Sequence, residues 1–322
     1  MGSDRGRIGI SACPFMVKII ARDPLDSGAD AKLEAASGNS VAACCSLWWT
    51  HTPALAGESI GFIGHYSAID ADASLRLLEH ACQLLMEKRC TRAIGPMDGS
   101  TWKKYRFITE RGNRSPFFLE PDNPPEYPTY FATAGFEPLA TYTSAITGSL
   151  DLEDSRATRV QSRMEREGFR IRSLNVGQFE EELHVLYQAS IAAFTNNFLY
   201  QPISEEEFRS LYRPIKKHIR PELVLFAERD RDPAAFLFAI PDHDPENFII
   251  KTLAANPRYA GRGLGTVLIH HANRAAAALG YRRAIHALMH EENQSTRISA
   301  RQAQVFRRYT LFAKTLAGAK AG

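Results

Sequence analysis

The stretch Asn256–Tyr281, NPRYAGRGLGTVLIHHANRAAAALGY, sets Gly261, Gly263 and Gly265 directly before and into a long Ala-rich run that favours helix. Glycine lacks a Cβ, so such a turn bends sharply and lets its backbone N–H groups approach a ligand closely. The first N–H groups of a helix have no intrahelical partner, and the helix dipole places partial positive charge there. The segment therefore reads as an anion site suited to phosphate. The alternative is a glycine-rich loop that only caps or packs the helix; context decides, and the anion reading gains where the turn sits in a strand–turn–helix–strand unit.

The residues around it meet that condition. FIIKTLAANP before the turn and RRAIHALM after the helix are short apolar runs with strand character. Upstream, ELVLFAERD and AAFLFAIPD read as two strands joined by a hairpin at RDRDP, and FRIRSLN as another strand. FEEELHVLYQASIAAF is an amphipathic helix. Ser204 followed by Glu205, Glu206 and Glu207 marks the start of a second one. NQSTRISARQ reads as a short helix and FRRYTLFAK as a closing strand. The first half repeats the theme: strands VKII, SVAACCSLWW and SIGFIGHYSAI, a helix over 71–89, strand TRAIGPM, a Pro-rich irregular stretch, then a short helix, Gly135 and a final strand in PTYFATAGFEPLATYTSAI. The polar segment from Thr147 to Gly168 connects the halves, with a boundary near Leu150 and helix after Ser155. The expectation is an α/β chain, α+β layered, of two similar domains over 1–150 and 151–322. Each would be a mostly antiparallel mixed sheet flanked by helices.

At 322 residues with 44% hydrophobic and 23% charged residues, the chain has a globular composition. Its net charge of +3 is spread without a long basic block, so composition gives no reason to expect a nucleic acid partner. No apolar run reaches the ~20 residues that span a bilayer. The N-terminus lacks the apolar core of a secretory signal. Five cysteines without C-x-x-C spacing argue against zinc or disulfide chemistry and for a reducing cytoplasm.

A Rossmann unit would begin its chain with the strand before the turn, and a Walker loop would follow the turn with Lys-Ser/Thr; neither is present. LAANPRYAGRGLGTVLI instead resembles the cofactor signature of the GNAT (GCN5-related) N-acetyltransferase superfamily. The resemblance implies that the turn from Ala260 through Gly261, Arg262, Gly263, Leu264, Gly265 and Thr266 holds the pyrophosphate of acetyl-CoA or another acyl-CoA. It implies that Lys251–Ala255, with Leu253, Ala254 and Ala255, pairs with the pantetheine arm, and that Asn293 contacts the cofactor. Two registers satisfy the motif; the preferred one sets Ala260 where the family usually has Gln or Arg. The family often places a Tyr seven residues beyond the Asn as the acid for the departing thiolate. Here Ala300 stands there, leaving Ser299 and Tyr309 as acid candidates. An amine acceptor needs a base, for which the strand end offers His290 and Glu291, with His286 and Glu292 beside them. In this family the linker FTNNFLYQPIS borders the acceptor pocket, through Phe194, Asn196, Asn197, Phe198 and Tyr200.

The first half has Asp70 and Asp72 where the turn would be, and carboxylates repel a pyrophosphate. Its tail, with Tyr130, Gly135 and Phe136, still resembles the family's terminal segment, so it reads as a degenerate copy. Its loop GPMDGSTWKKYRF, with Asp98, Trp102, Lys103, Lys104 and Arg106, is a candidate for substrate contact. The expected function is acyl transfer from CoA to the amine of a small molecule or peptide, without a membrane partner or metal. An acyl-CoA sensor and an aminoacyl-transfer enzyme of the tandem type are the alternatives.

Overall fold

The computed structural model describes residues 18–22, 28–55, 57–292 and 303–316. The first half runs β1 (Lys18–Arg22), β2 (Ala31–Ser37), β3 (Ser40–Trp48), β4 (Ile60–Ala68), α1 (Ala71–Glu87), β5 (Arg92–Gly95), β6 (Phe107–Glu110), α2 (Tyr127–Thr133) and β7 (Glu137–Thr147). After the connection come α3 (Ser155–Arg166), β8 (Phe169–Ser173), α4 (Phe179–Phe194), α5 (Glu205–Tyr212), β9 (Val224–Arg229), β10 (Asp232–Pro241), β11 (Asn247–Ala255), α6 (Leu264–Ala278), β12 (Arg283–His290) and β13 (Ala303–Thr315).

Local chemistry sets most of these. α1 buries Ala73, Leu77, Leu78, Ala81, Cys82 and Leu85 on one face, a helical spacing, and Asp70 caps it by accepting from the Ala73 N–H at 2.8 Å. Each fully buried leucine there contributes about 1.5–3 kcal/mol. Ser204 caps α5 by accepting from the Glu207 N–H at 3.2 Å. Between β9 and β10 the chain reverses through Asp230 and Arg231, with φ of 53° and 67°. Two left-handed central residues match the twist of the flanking strands. Two strands escape the sequence reading. β2 is Ala-rich, with only Leu33 and Ala35 fully buried to signal alternation, and β6 is four residues long inside an irregular stretch.

The strands form one sheet in the order β1-β2-β3-β4-β5-β13-β7-β12-β11-β10-β9-β8, with β6 also on β13. It is mostly antiparallel; β4–β5 and β11–β12 pair parallel, each across a helix. The closing strand does not complete the second half as its position in sequence suggests. β13 pairs with β5 and β7, while β7 of the first half pairs with β12 of the second. The two halves thus exchange their last strands. The cause is the long antiparallel ladder between them, from Ala303 opposite Thr147 to Ala313 opposite Glu137.

Helices cover both faces of the second half. α3 and α6 pack around Met164, Val267, Leu268 and Ala272; α4 and α5 pack around Leu183, Leu186 and Phe208. In the first half α1 and α2 cover one face. Among the described residues no helix is long and apolar enough to cross a membrane, and no cluster of His, Cys, Asp or Glu could hold a metal ion.

Candidate active site

The glycine turn lies between β11 and α6. Gly261 and Gly263 take φ of 75° and 83°, the left-handed region that favours glycine, and Gly263 is the residue before the first turn of α6. The loop is pinned on its N-terminal side: Asn256 Oδ1 accepts from the Arg258 N–H at 3.0 Å, and the Tyr259 hydroxyl donates to Asp232 at 3.2 Å. α3 pins the other side. Arg163 Nη2 donates to the Arg262 carbonyl at 2.6 Å, and the Arg262 guanidinium pairs with Glu167 at 2.7 Å. Among the described residues no protein acceptor faces the backbone N–H groups of residues 261–266. Orphaned donors at a helix start form an anion site.

The strands beside the turn part at a defined level. β11 and β12 pair from Asn247–Arg283 to Ile250–His286 and no further. At that level each carries a bulge. On β11, Thr252 faces Phe238 and Ile250 faces Ala239, so Lys251 is the extra residue. On β12 the register against β7 shifts between His286 and Met289, and Leu288 takes φ of 57°. Bulges bend the strands that carry them. The second half of β11, Lys251–Ala255, is left with an open edge towards β12.

A cavity of about 970 Å³ occupies this opening. Lys251, Thr252 and Leu253 line it from β11, and His286 to His290 from β12. Phe194, Asn196, Asn197, Phe198 and Tyr200 line it from the linker between α4 and α5. The loop from Thr101 to Arg106 and Leu119–Pro121 close it from the first half. Trp102 is the anchor of that loop. Its Nε1 donates to the Gln201 carbonyl at 2.8 Å, and its ring meets Phe194, Tyr200 and Phe208 at 5.7, 6.1 and 5.7 Å.

The charges in the cavity are unevenly matched. Arg106 sits in the corner formed by two near-perpendicular rings, its Cζ 3.9 Å from the Tyr105 centroid and 4.0 Å from that of Tyr142. Burial, and then the Arg106 charge, push Lys251 down to about 8; its Nζ donates to the Leu119 carbonyl at 3.4 Å. The Glu120 side chain is fully buried and is held by Arg307 Nη1 at 2.5 Å, by the Phe117 N–H at 3.1 Å and by the Tyr309 hydroxyl. Burial raises its pKa while these donors oppose the rise. His286, buried, is pushed down to about 4 and is therefore neutral near pH 7. Burial lowers His290 too. Its Nδ1 accepts from the Glu292 N–H at 3.2 Å, so the neutral ring carries its proton on Nε2.

Residues 184–298 match the family model of the acetyltransferase (GNAT) family. This chain carries a GNAT domain. Solved structures share the GNAT architecture. One is the GCN5-related glucosamine N-acetyltransferase region of a fungal multi-domain GH3 beta-N-acetylglucosaminidase, with 13% identity, a TM-score of 0.53, and coverage of 88% of this chain and 33% of that one. This chain thus spans about a third of the length of the fungal protein. Another is a GCN5-related N-acetyltransferase from Sphaerobacter thermophilus, with 13% identity, a TM-score of 0.50, and coverage of 88% and 80%. At that identity the likeness is one of fold. A comparison with curated proteins finds no match.

Within the GNAT domain, the structure brings His290, Leu253 and the five linker residues to one cavity. Two acid and base candidates stand elsewhere. Glu291 is not on the wall and pairs with Arg308 at 2.6 Å. Tyr309 is fully buried on β13, its hydroxyl engaged by Glu120 and by Ser144 at 3.0 Å. A phenol locked in the core behind Glu120 is not placed to protonate a leaving thiolate. Asn293 and Ser299, and the helix expected over NQSTRISARQ, lie outside the described residues. Sequence reasoning did not single out Glu120, Tyr105 or Tyr142, or the charge of Lys251. Their sequence positions give no hint that distant loops and a bulge bring them together.

The matching junction in the first half is closed. Asp70 occupies the helix start, and Asp72 adds a second carboxylate in the first turn of α1. Beyond β5 the chain stays bound to β4: the Met97 N–H donates to the Ile63 carbonyl at 2.8 Å, and the His65 N–H to Asp98 at 2.6 Å.

Proposed function

We propose that the protein is an acyl-CoA-dependent N-acyltransferase that moves an acetyl or related acyl group to an amine of a small molecule or peptide. The observation that carries this reading is an unpartnered amide turn at the start of α6 on the same β11–α6 connection as a splayed strand edge, whose Lys251–Leu253 line the cavity. Acyl-CoA fits such a site: the orphaned N–H groups of residues 261–266 suit a pyrophosphate, and the free edge of Lys251–Ala255 suits the amides of a pantetheine arm. Bound there, it supplies an activated thioester carbonyl, so that a C–N bond forms as the C–S bond breaks.

This chain's residues would do the rest. The aromatic wall of Trp102, Phe194, Phe198 and Tyr200 orients the acceptor and excludes water. Holding the partners in register lowers the barrier without any further group. The acceptor ammonium must lose its proton. Lys251 is the better acceptor of it than His290. Its amine becomes neutral near pH 8, whereas His290 would have to give up its bond to the Glu292 N–H. We read residues 1–150 as a degenerate domain that contributes the Trp102 loop and the Glu120 loop to the cavity, and 151–322 as the cofactor-binding domain.

The test is mass spectrometry of a broad amine panel incubated with acetyl-CoA. Acylated product, with release of an equal amount of free thiol, is the expected result. Absence of product across the panel, with acetyl-CoA bound in the same sample, would favour a sensor that binds acyl-CoA without transferring it.

A further inference from the structure

Arg106 is placed unlike the other arginines of known partner. Its N–H is fixed to the Pro96 carbonyl at 3.0 Å, and its φ of 71° turns the side chain out of the loop end. The Tyr105 and Tyr142 rings, at 85° to each other with centroids 5.6 Å apart, flank the guanidinium on two adjacent sides and offer it π contacts, not hydrogen-bond acceptors. A guanidinium hydrogen-bonds through its five in-plane donors, and an aromatic ring does not replace an acceptor for them. Among the described residues those donors meet nothing: Nε and Nη1 are buried without a partner, and no carboxylate pairs with the group. Arginine keeps its charge under all ordinary conditions, and a half-buried charge without a partner is costly.

The cavity wall leaves that charge uncompensated. Lys103, Lys104, Arg106 and Lys251 line it against two carboxylates, Glu120 and Glu292. Glu120 already belongs to Arg307. A simple cationic amine would therefore enter a positive pocket against repulsion. A planar anion in the guanidinium plane would remove the imbalance, and a carboxylate matches that fork with two parallel N–H···O bonds.

We propose that Arg106 is a carboxylate clamp, and that the protein acts on a ligand carrying a free carboxylate close to the reacting centre. This rests on the acyltransfer reading. The carboxylate has two possible sources: an amino-acid-like acceptor, whose amine then lies on the Lys251 side, or a dicarboxylic acyl group on CoA.

The clamp is tested first without turnover, by titrating the protein with phenylacetate and with phenylacetamide and following tryptophan fluorescence. Wild type binds the acid about 10- to 100-fold more tightly than the amide, the worth of a charge-assisted hydrogen bond. Arg106→Gln binds both alike, and Arg106→Lys retains part of the preference; circular dichroism melting shows that each variant is folded. Equal binding of acid and amide by wild type, or an undiminished preference in Arg106→Gln, overturns the clamp. Turnover then separates the sources. With acetyl-CoA, preference for L-amino acids over their amides places the carboxylate on the acceptor. With a simple amine, preference for succinyl-CoA over acetyl-CoA places it on the acyl group. Turnover with neither preference overturns the clamp and leaves acyl transfer standing. Acid preference in binding without any turnover leaves the clamp standing and removes acyl transfer.

Discussion

Replacing Gly263 by alanine probes how the cofactor turn is held. Gly263 has φ of 83°, and a Cβ added there would stand 2.9 Å from Cγ1 of Val160, with Cγ2 at 3.5 Å. An alanine in the left-handed region costs roughly 1–2 kcal/mol. Overpacking against a short branched side chain on a neighbouring helix adds about 1–3 kcal/mol. The sum is roughly 2–5 kcal/mol, and it has two outlets. If α3 yields, the contacts of Arg163 with the Arg262 carbonyl and of Glu167 with Arg262 weaken, and stability falls. If the turn yields, its amides lose their common direction and CoA affinity falls. Urea unfolding and calorimetric titration with CoA read the two outlets separately. Val160→Ala removes the clashing Cγ1 methyl together with Cγ2, so in that background Gly263→Ala should cost only the backbone part, roughly 1–2 kcal/mol. A Gly263→Ala protein with wild-type stability and CoA affinity would refute the reasoning. So would a cost that Val160→Ala leaves unchanged.

Further outcomes follow from the cavity. Lys251, at about 8, is protonated and inert as a base below that pH, so kcat should rise as pH increases through about 8. Lys251→Met should lower kcat by about 10²–10⁴-fold and remove that limb of a stopped-flow pH profile. His286 has a folded pKa of about 4, below the unfolded value of about 6.5. Its contribution to stability is full above pH 6.5 and is lost as pH falls from there to about 4, amounting to about 3 kcal/mol. His286→Asn should show a smaller drop by about that amount in urea unfolding at pH 7 and pH 4. Glu120→Ala would leave Arg307, only 2% exposed, without its anion. Urea unfolding should show a loss of about 3–5 kcal/mol, and Arg307→Met in the same chain should restore part of it.

What was legible in the sequence was what neighbours along the chain decide. The Ser204 cap, the α4 span Phe179–Phe194 and the Asp230–Arg231 reversal rest on a few adjacent residues each. The start of α6 at Leu264 follows from the glycines before it. Illegible features depend on distance. β2 has too little β-branched character to announce itself, and β13 finds its place by pairing with β5, β6 and β7, all more than 150 residues away. Asp98, Trp102, Lys103, Lys104 and Arg106 stood out as an odd loop, yet nothing local says that Trp102 enters the Phe194–Tyr200–Phe208 cluster or that Arg106 lies against two tyrosines. Lys251 looks like an ordinary strand residue until the bulge opposite Phe238 and Ala239 turns it to the cavity. Tyr309 shows the converse. Its sequence position beside the site invites a chemical role, and the core takes its ring completely.

The central claim is that the glycine turn holds an acyl-CoA. Calorimetric titration with acetyl-CoA and with CoA, on wild type and Gly265→Glu, tests it most directly. The claim predicts saturable binding of both ligands to wild type, in the micromolar range, and none to Gly265→Glu, because a carboxylate in the first turn of α6 opposes a pyrophosphate. Heat signals indistinguishable from dilution with wild type, or equal affinity in the variant, would contradict it.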